Sequence, residues 1–236
     1  MLFPNQLVIL RGGGDLATGV AYRLYQAGFP VIVLELERPL VVRRKVALET
    51  AVLEGHVQIE SLQAQRVKNP DKAIQLAHSG QIPILVAPQL SAINPLSCTI
   101  LIDARMAKRN IDTSKEQADL VIALGPGFTA GEDCHAVIET MRGHTLGRVI
   151  WHGSAIPNTG TPGIVAGKGA ERVLRAPAAG TVNWRLEIGD LVQKGDLIGD
   201  VADQTITAPF AGVLRGLIAP GTQVPTGLKI GDLDAR

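Results

Sequence analysis

Three consecutive glycines, Gly12 to Gly14, separate an apolar run, Leu7 to Leu10, from a stretch where Leu16, Val20, Leu24 and Ala27 recur at helical spacing before Gly28. No other feature restricts the fold of this chain as much. A short apolar run, a tight turn and an amphipathic segment read as strand, turn and helix. A second apolar run, Val31 to Leu34, closes with Glu35. Two strands joined by one helix in about thirty residues read as parallel neighbours in a sheet, because a parallel pair needs a long crossover.

Further strands are expected at Ile82 to Ala87, Thr99 to Ile102 and Leu120 to Leu124, with helices over Arg43 to Glu54 and Pro70 to His78. Beyond "GPGFTAGED", the segments "CHAVIET" and "GRVIWHG" flank "MRGHTL" and predict a β-hairpin arm attached to the sheet. The expected fold class is α/β, a Rossmann-like, mostly parallel sheet with helices.

From Ala176 the helical period disappears and turn signals recur every few residues. The stretch "APAAGTV" returns as "APFAGVL" at an offset of 32 residues, and Gly189, Val192, Gly195 and Gly199-Asp200 return at the same offset. Two copies of one pattern imply two similar β units that bury their apolar faces against each other. The predicted domains are 1–170 and 171–236.

Net charge is +1 with 19% charged residues, and aromatics make up 3%, so neither a nucleic-acid partner nor a stacking platform is expected. No basic leader precedes a long apolar stretch, and no run reaches the roughly 18 apolar residues of a spanning helix. The expectation is a soluble cytoplasmic protein with no membrane partner. Cys98 and Cys134 form no CxxC, which fits a reducing compartment. Cys134 and His135 are adjacent, so on a strand they face opposite ways, and no metal site is expected.

The run Gly12 to Ala17 matches G-x-G-x-x-A between strand and helix, with Glu35 at the end of the next strand. Such a turn lets Gly12, Gly13 and Gly14 approach a phosphate, while a carboxylate at Glu35 accepts from ribose hydroxyls. The alternative is that the glycines only turn the chain. Asp15 at the helix start can cap N–H groups itself, and its charge opposes a phosphate. Gly125 and Gly127 form a second glycine loop after a strand, read either as the opposite wall of a crevice or as an ordinary connection. Arg105 and Arg109, with Lys108, Arg43, Arg44 and Lys45, are candidates to bind phosphate or carboxylate, or solvated surface charges. Cys134 is the one candidate nucleophile; a lone cysteine is more often a small buried residue.

Taken together, "VILRGGGDLATGVAYRLYQAGFPVIVLELERPLVVRR", "DARMAKRN", "ALGPGFTAGEDCHAVIETMRGHTLGRVIW", "NTGTPG" and "ERVLRAPAAG" resemble YqeB-like accessory proteins of selenium-dependent molybdenum hydroxylase systems. The N-terminal part is similar to the Rossmann-type domain of XdhC-type proteins, and the repeated part to a barrel-sandwich hybrid domain of the biotinyl/lipoyl kind. The resemblance implies a maturation role, a client molybdenum hydroxylase as partner, and molybdenum cofactor or another phosphate-bearing nucleotide as the small-molecule ligand. It implies sulfur or selenium delivery as a role for Cys134. The stretch joining the two repeats, Val201 to Pro209, holds no lysine, so no covalent biotin or lipoate is expected. Two other readings stand beside this one: an NAD(P)-dependent oxidoreductase with Glu35 on the ribose, and a non-catalytic scaffold or docking protein, with a homo-oligomer as one arrangement.

Overall fold

The computed structural model describes residues 1–87, 98–160 and 162–236. The chain divides into two compact units, the first made of Met1–Pro39 and Val46–Thr159, the second of Leu40–Lys45 and Gly160–Arg236. Against the single boundary expected near residue 170, six residues from the N-terminal third thus pack with the C-terminal part.

In the first unit the strands are β1 (Val8–Arg11), β2 (Val31–Glu35), β3 (His56–Ile59), β4 (Leu62–Val67), β5 (Ile82–Val86), β6 (Ile100–Asp103), β7 (Leu120–Leu124), β8 (Thr129–Ala130), β9 (Ala136–Ile138), β10 (Val149–Ile150) and β11 (Gly153–Ser154). The helices are α1 (Asp15–Gln26), α2 (Thr50–Glu54) and α3 (Pro70–His78). Nine of these strands form one sheet in the order β10-β9-β7-β6-β1-β2-β5-β4-β3, and β11 pairs with β8. Strands β1 and β2 are buried at every residue, which is why they read as unbroken apolar runs rather than alternating ones. Their two faces feed separate apolar clusters, one containing Ile9, Ile32 and Leu101, the other Val8, Leu10 and Val33.

The expected Rossmann-like, mostly parallel α/β class is corrected by this arrangement. The sheet is mixed, with β3 antiparallel to β4 and β10 antiparallel to β9. Among the described residues there are only three α-helices, one of them five residues long. The parallel connections from β6 to β7 and from β7 to β9 contain no α-helix. Left-handed backbone at Met106 and Lys108, and at Gly125 and Gly127, breaks any helical path at the start of both stretches.

The helix expected over Arg43 to Glu54 is shortened to a 3-10 turn at Arg44–Val46 and to α2. Residues 40–45 belong to the second unit, and the α-helix itself begins only at Thr50. Strands β3 and β4 were not expected, although Leu62 and Ala64 alternate with Gln63 and Gln65 at the period of a half-buried strand. The predicted hairpin corresponds to the antiparallel β9–β10 pair at the edge of the large sheet.

The second unit contains β12 (Val173–Arg175), β13 (Gly180–Trp184), β14 (Leu191–Val192), β15 (Leu197–Val201), β16 (Gln204–Thr207), β17 (Gly212–Leu217), β18 (Gln223–Val224) and β19 (Lys229–Asp234). The 32-residue offset maps β12 to β15 onto β16 to β19. Two four-stranded antiparallel sheets result, β12-β19-β17-β14 and β16-β15-β13-β18. Each sheet takes strands from both copies of the repeat, so the second unit is a pair of small antiparallel sheets with one shared core. Val182, Ile198, Val201, Leu214, Leu217, Ile230 and Leu233 fill it, all fully buried. The turn between β15 and β16 holds Ala202 and Asp203, both at positive φ, as a two-residue hairpin turn requires.

Leu214 lies at the centre of that core with no exposed surface. Leu214→Ala is expected to cost about 2–5 kcal/mol through lost burial and the cavity left behind. Chemical denaturation of the whole chain measures it, and a loss under 1 kcal/mol would contradict the shared core.

Candidate functional site

At the C-terminal ends of β1 and β2 the chain makes its glycine turn. Gly14 is the N-cap of α1 and Asp15 its first residue, so an acidic side chain stands in the first turn of the helix. The Gly13 N–H donates to Glu35 Oε2 at 2.8 Å, and the Leu36 N–H donates to Glu35 Oε1 at 2.7 Å. The turn therefore already closes on the carboxylate that sequence reasoning assigned to a ribose.

A second carboxyl group joins it. The Glu49 N–H donates to Gly13 O at 2.9 Å, and a Cβ on Gly13 would meet Glu49 N at 2.9 Å, so glycine is needed here for close approach. Thr18 Oγ1 donates to Gly14 O at 2.9 Å and accepts from the Leu48 N–H at 3.0 Å, fastening the loop before α2 onto the start of α1. Burial, followed by the charge and hydrogen bonding of Glu35 and the charge of Asp15, pushes the Glu49 carboxyl up to about 9. Glu49 is thus neutral at pH 7 and hydrogen-bonded to Glu35. No sequence motif marked Glu49; it lay inside the expected helix.

Beneath the turn lies a network of charges that sequence reasoning found only in part. Arg11, the last residue of β1, pairs in register with Asp103, the last residue of β6. Arg11 is 2% exposed and donates to Asp112 at 2.7 Å and to Thr113 Oγ1 at 3.1 Å. Arg105 donates to Asp103 Oδ2 at 2.6 Å and to Asp112 Oδ1 at 2.7 Å. Thr113 Oγ1 donates to Asp103 Oδ2 at 2.6 Å. Burial opposes the Asp103 charge, but the hydrogen bonds from Arg105 and Thr113 outweigh it and hold the carboxyl below its usual range. Arg105, expected to balance a ligand's charge, is committed to this ion-pair network.

The remaining predicted residues come together around the same strand ends. Gly12 packs on Arg105, where a Cβ would lie 3.0 Å from Arg105 Cα. Gly125 sits against Met106 and Thr140. At Gly127 a Cβ would fall 2.4 Å from Arg109 N, so glycine lets the loop after β7 press onto the loop after β6. Arg109 and Lys108 are exposed. Three loops, 12–14, 104–109 and 125–128, thus converge at the ends of β1, β6 and β7.

Cys134 is elsewhere in chemical terms. It has no exposed surface, lies in the apolar cluster with Val121 and Val137, and burial pushes its thiol up to about 11. Burial and the raised thiol pKa both work against the thiolate form that the nucleophilic role expected for Cys134 needs. Among the described residues no three His, Cys, Asp or Glu side chains gather as metal ligands, and no helix is long and apolar enough to cross a membrane.

The pH dependence of stability follows from two opposite shifts. Asp103 is held below its ordinary 3.8, so its contribution is present above that pH and is lost as pH falls through the folded value. Glu49 is raised from 4.5 to about 9, so its contribution is full below 4.5 and is lost progressively as pH rises toward 9. From these two groups, stability is expected to be highest between the ordinary values of 3.8 and 4.5 and to decline on both sides. Glu49→Gln, which keeps a donor toward Glu35, should flatten the decline between pH 5 and 9; thermal denaturation across that range measures it, and an unchanged slope would overturn the shared-proton geometry.

No family model matches the chain. The chain is 48% identical over 232 residues to the uncharacterized protein YqeB of Escherichia coli K12, covering 98% of this chain and 43% of that protein. Solved structures with some similarity include an aspartoacylase family protein from Mesorhizobium loti, at 12% identity and a TM-score of 0.33 over 97% of this chain and 84% of that one. Another is a succinylglutamate desuccinylase/aspartoacylase from Rhodobacter sphaeroides, at 14% identity and a TM-score of 0.31 over 98% and 86%. Likeness at that level transfers neither fold nor activity. The chain is a homologue of YqeB that spans less than half of that protein's length.

Proposed function

We propose that the chain is an accessory protein of a molybdenum hydroxylase system, and that its sheet edge recognises a small molecule by accepting hydrogen bonds rather than by cradling phosphate. The accessory role rests on the motifs shared with YqeB-like proteins and on the 48% relative, itself uncharacterized. The client hydroxylase is part of the same proposal.

One observation carries the choice of chemistry. The Gly13 N–H, the donor a phosphate needs, is already taken by Glu35, and Glu49 and Asp15 stand beside it. A phosphate dianion brought to this turn displaces a carboxylate and meets another at the helix start, so the residues present do not fit a phosphate or pyrophosphate there. They fit a ligand face rich in N–H or O–H groups. A carboxylate has about four acceptor sites, and Glu35 retains acceptor capacity beyond its two backbone donors and the Glu49 carboxyl. The pyrimidine edge of a pterin and the diol of a ribose both present such donors.

Protein purified from a host that makes molybdenum cofactor should retain a pterin mass in native mass spectrometry, reduced at least tenfold in Glu35→Gln. Equal retention by the variant would overturn the acceptor role. A retained NAD or NADP mass would put the oxidoreductase reading in its place, and protein that is empty in this host would favour the scaffold.

A further inference from the structure

On one face of the second unit, the ion pairs among the described residues set four guanidinium groups around two carboxylates. Asp232 and Asp234 lie two residues apart on β19 and share one face of its sheet. Both are buried, at 2% and 7% exposure. Arg43 donates to Asp232 at 2.9 Å, and Arg172 lies 3.5 Å from the same side chain. Arg236 is 2.7 Å from Asp234 and Arg215 is 3.5 Å from it. Four arginines thus surround two aspartates.

The local backbone aims Arg215 into this group. In the β17–β19 ladder Leu214 pairs with Leu233 and Gly216 with Asp232, so Arg215 is the extra residue of a β-bulge. A bulge bends its strand and re-aims a side chain. Next to it, Val42 packs on Gly216 so closely that a Cβ there would lie 2.9 Å from Val42 Cγ1. This contact sets Arg43 beside Arg215. Arg44 and Lys45 bring two more cations to the same unit, held by the carbonyl oxygens of Leu217 and Ile188.

Arg215 Nη1 is buried and makes no hydrogen bond, its approach to Asp234 being an ion contact only. Asp234 is drawn instead to Arg236, which donates to both its oxygens at 3.0 and 2.7 Å. Burial works against the Arg215 charge and repulsion from Arg43 and Arg172 adds to it, with Asp232 and Asp234 offsetting only part of this. A cluster built only to hold the sheets together would balance its charges and satisfy its buried N–H groups. This one leaves a buried donor and an excess of positive charge, which is what a planar, multi-donor anion site presents before its ligand arrives.

We infer that Arg215, with Arg43 and Arg172 around it, forms an oxyanion-binding site in the second unit, suited to the phosphoryl or carboxylate group of a small molecule. It is built from other residues than the glycine turn.

Inorganic phosphate and succinate, each titrated against sodium chloride of equal ionic strength, test the inference by thermal shift on the full chain. Saturable stabilisation by phosphate alone assigns a phosphoryl ligand, by succinate alone a carboxylate, and by both a general oxyanion site. Arg215→Met should weaken the apparent affinity at least tenfold. Arginine modification by phenylglyoxal, read by peptide mass spectrometry on the unaltered chain, should show Arg215 protected by the same probe, which keeps the test decisive if the variant folds poorly. Responses no larger than those to chloride, or Arg215 labelling unaffected by the probe, would overturn the site.

Discussion

A single hydrogen bond, from the Gly13 N–H to the Glu35 carboxylate, ties together the parts of the first unit that carry its chemistry. It joins the end of β1 to the end of β2 without a ligand. It also holds a negative charge where the start of α1 would otherwise offer free donors. Glu49 can lie against the turn only because it keeps its proton, and Gly13 can admit it only because it has no side chain. The turn, the entry to α1 and the approach to α2 depend on that pair of carboxyl groups sharing one charge.

A second set of charges, one strand over, does comparable work for the loops that lack helices. Arg11 reaches Asp112 and Thr113 from under the sheet edge, and Arg105 grips Asp103 and Asp112. A buried guanidinium with no partner would be strongly destabilising, so these contacts require the loop after β6 to return to the strand ends. The loop after β7 then packs on it at Gly127. The sheet edge at β1, β6 and β7 is thereby covered by irregular chain fixed by charge and close packing, where an α/β domain would use helix termini.

Much of this was legible in the sequence where local chemistry decides the outcome. The Gly12 to Gly14 turn, the strands Val8–Arg11 and Val31–Glu35, the helix Pro70–His78 and the 32-residue repeat all follow from periodicity and turn residues. The close packing of Gly12 on Arg105 and of Gly127 on Arg109 was not legible in the sequence, which marked these residues only one by one. What the sequence hid were long-range pairings. Glu49 looked like any helical glutamate until the chain placed it on Gly13. Arg11 ended an apolar strand, a position where a charge is surprising and was the available signal. Cys134 carries no local mark of its burial, and Arg43 none of its partner nearly two hundred residues away.

The repeated module has its own logic. The short strand of each copy, β14 or β18, leaves its own copy and pairs with the long strand of the other, β17 or β13. Neither copy holds a complete sheet, so a substitution in one is felt in the sheet that the other dominates. Duplicated sequences usually drift apart because each is free to vary while its twin preserves function. Here that freedom is reduced: the two copies are partners across a quasi-symmetric interface inside one chain, and the glycines and apolar positions at the 32-residue spacing are the record of each having constrained the other.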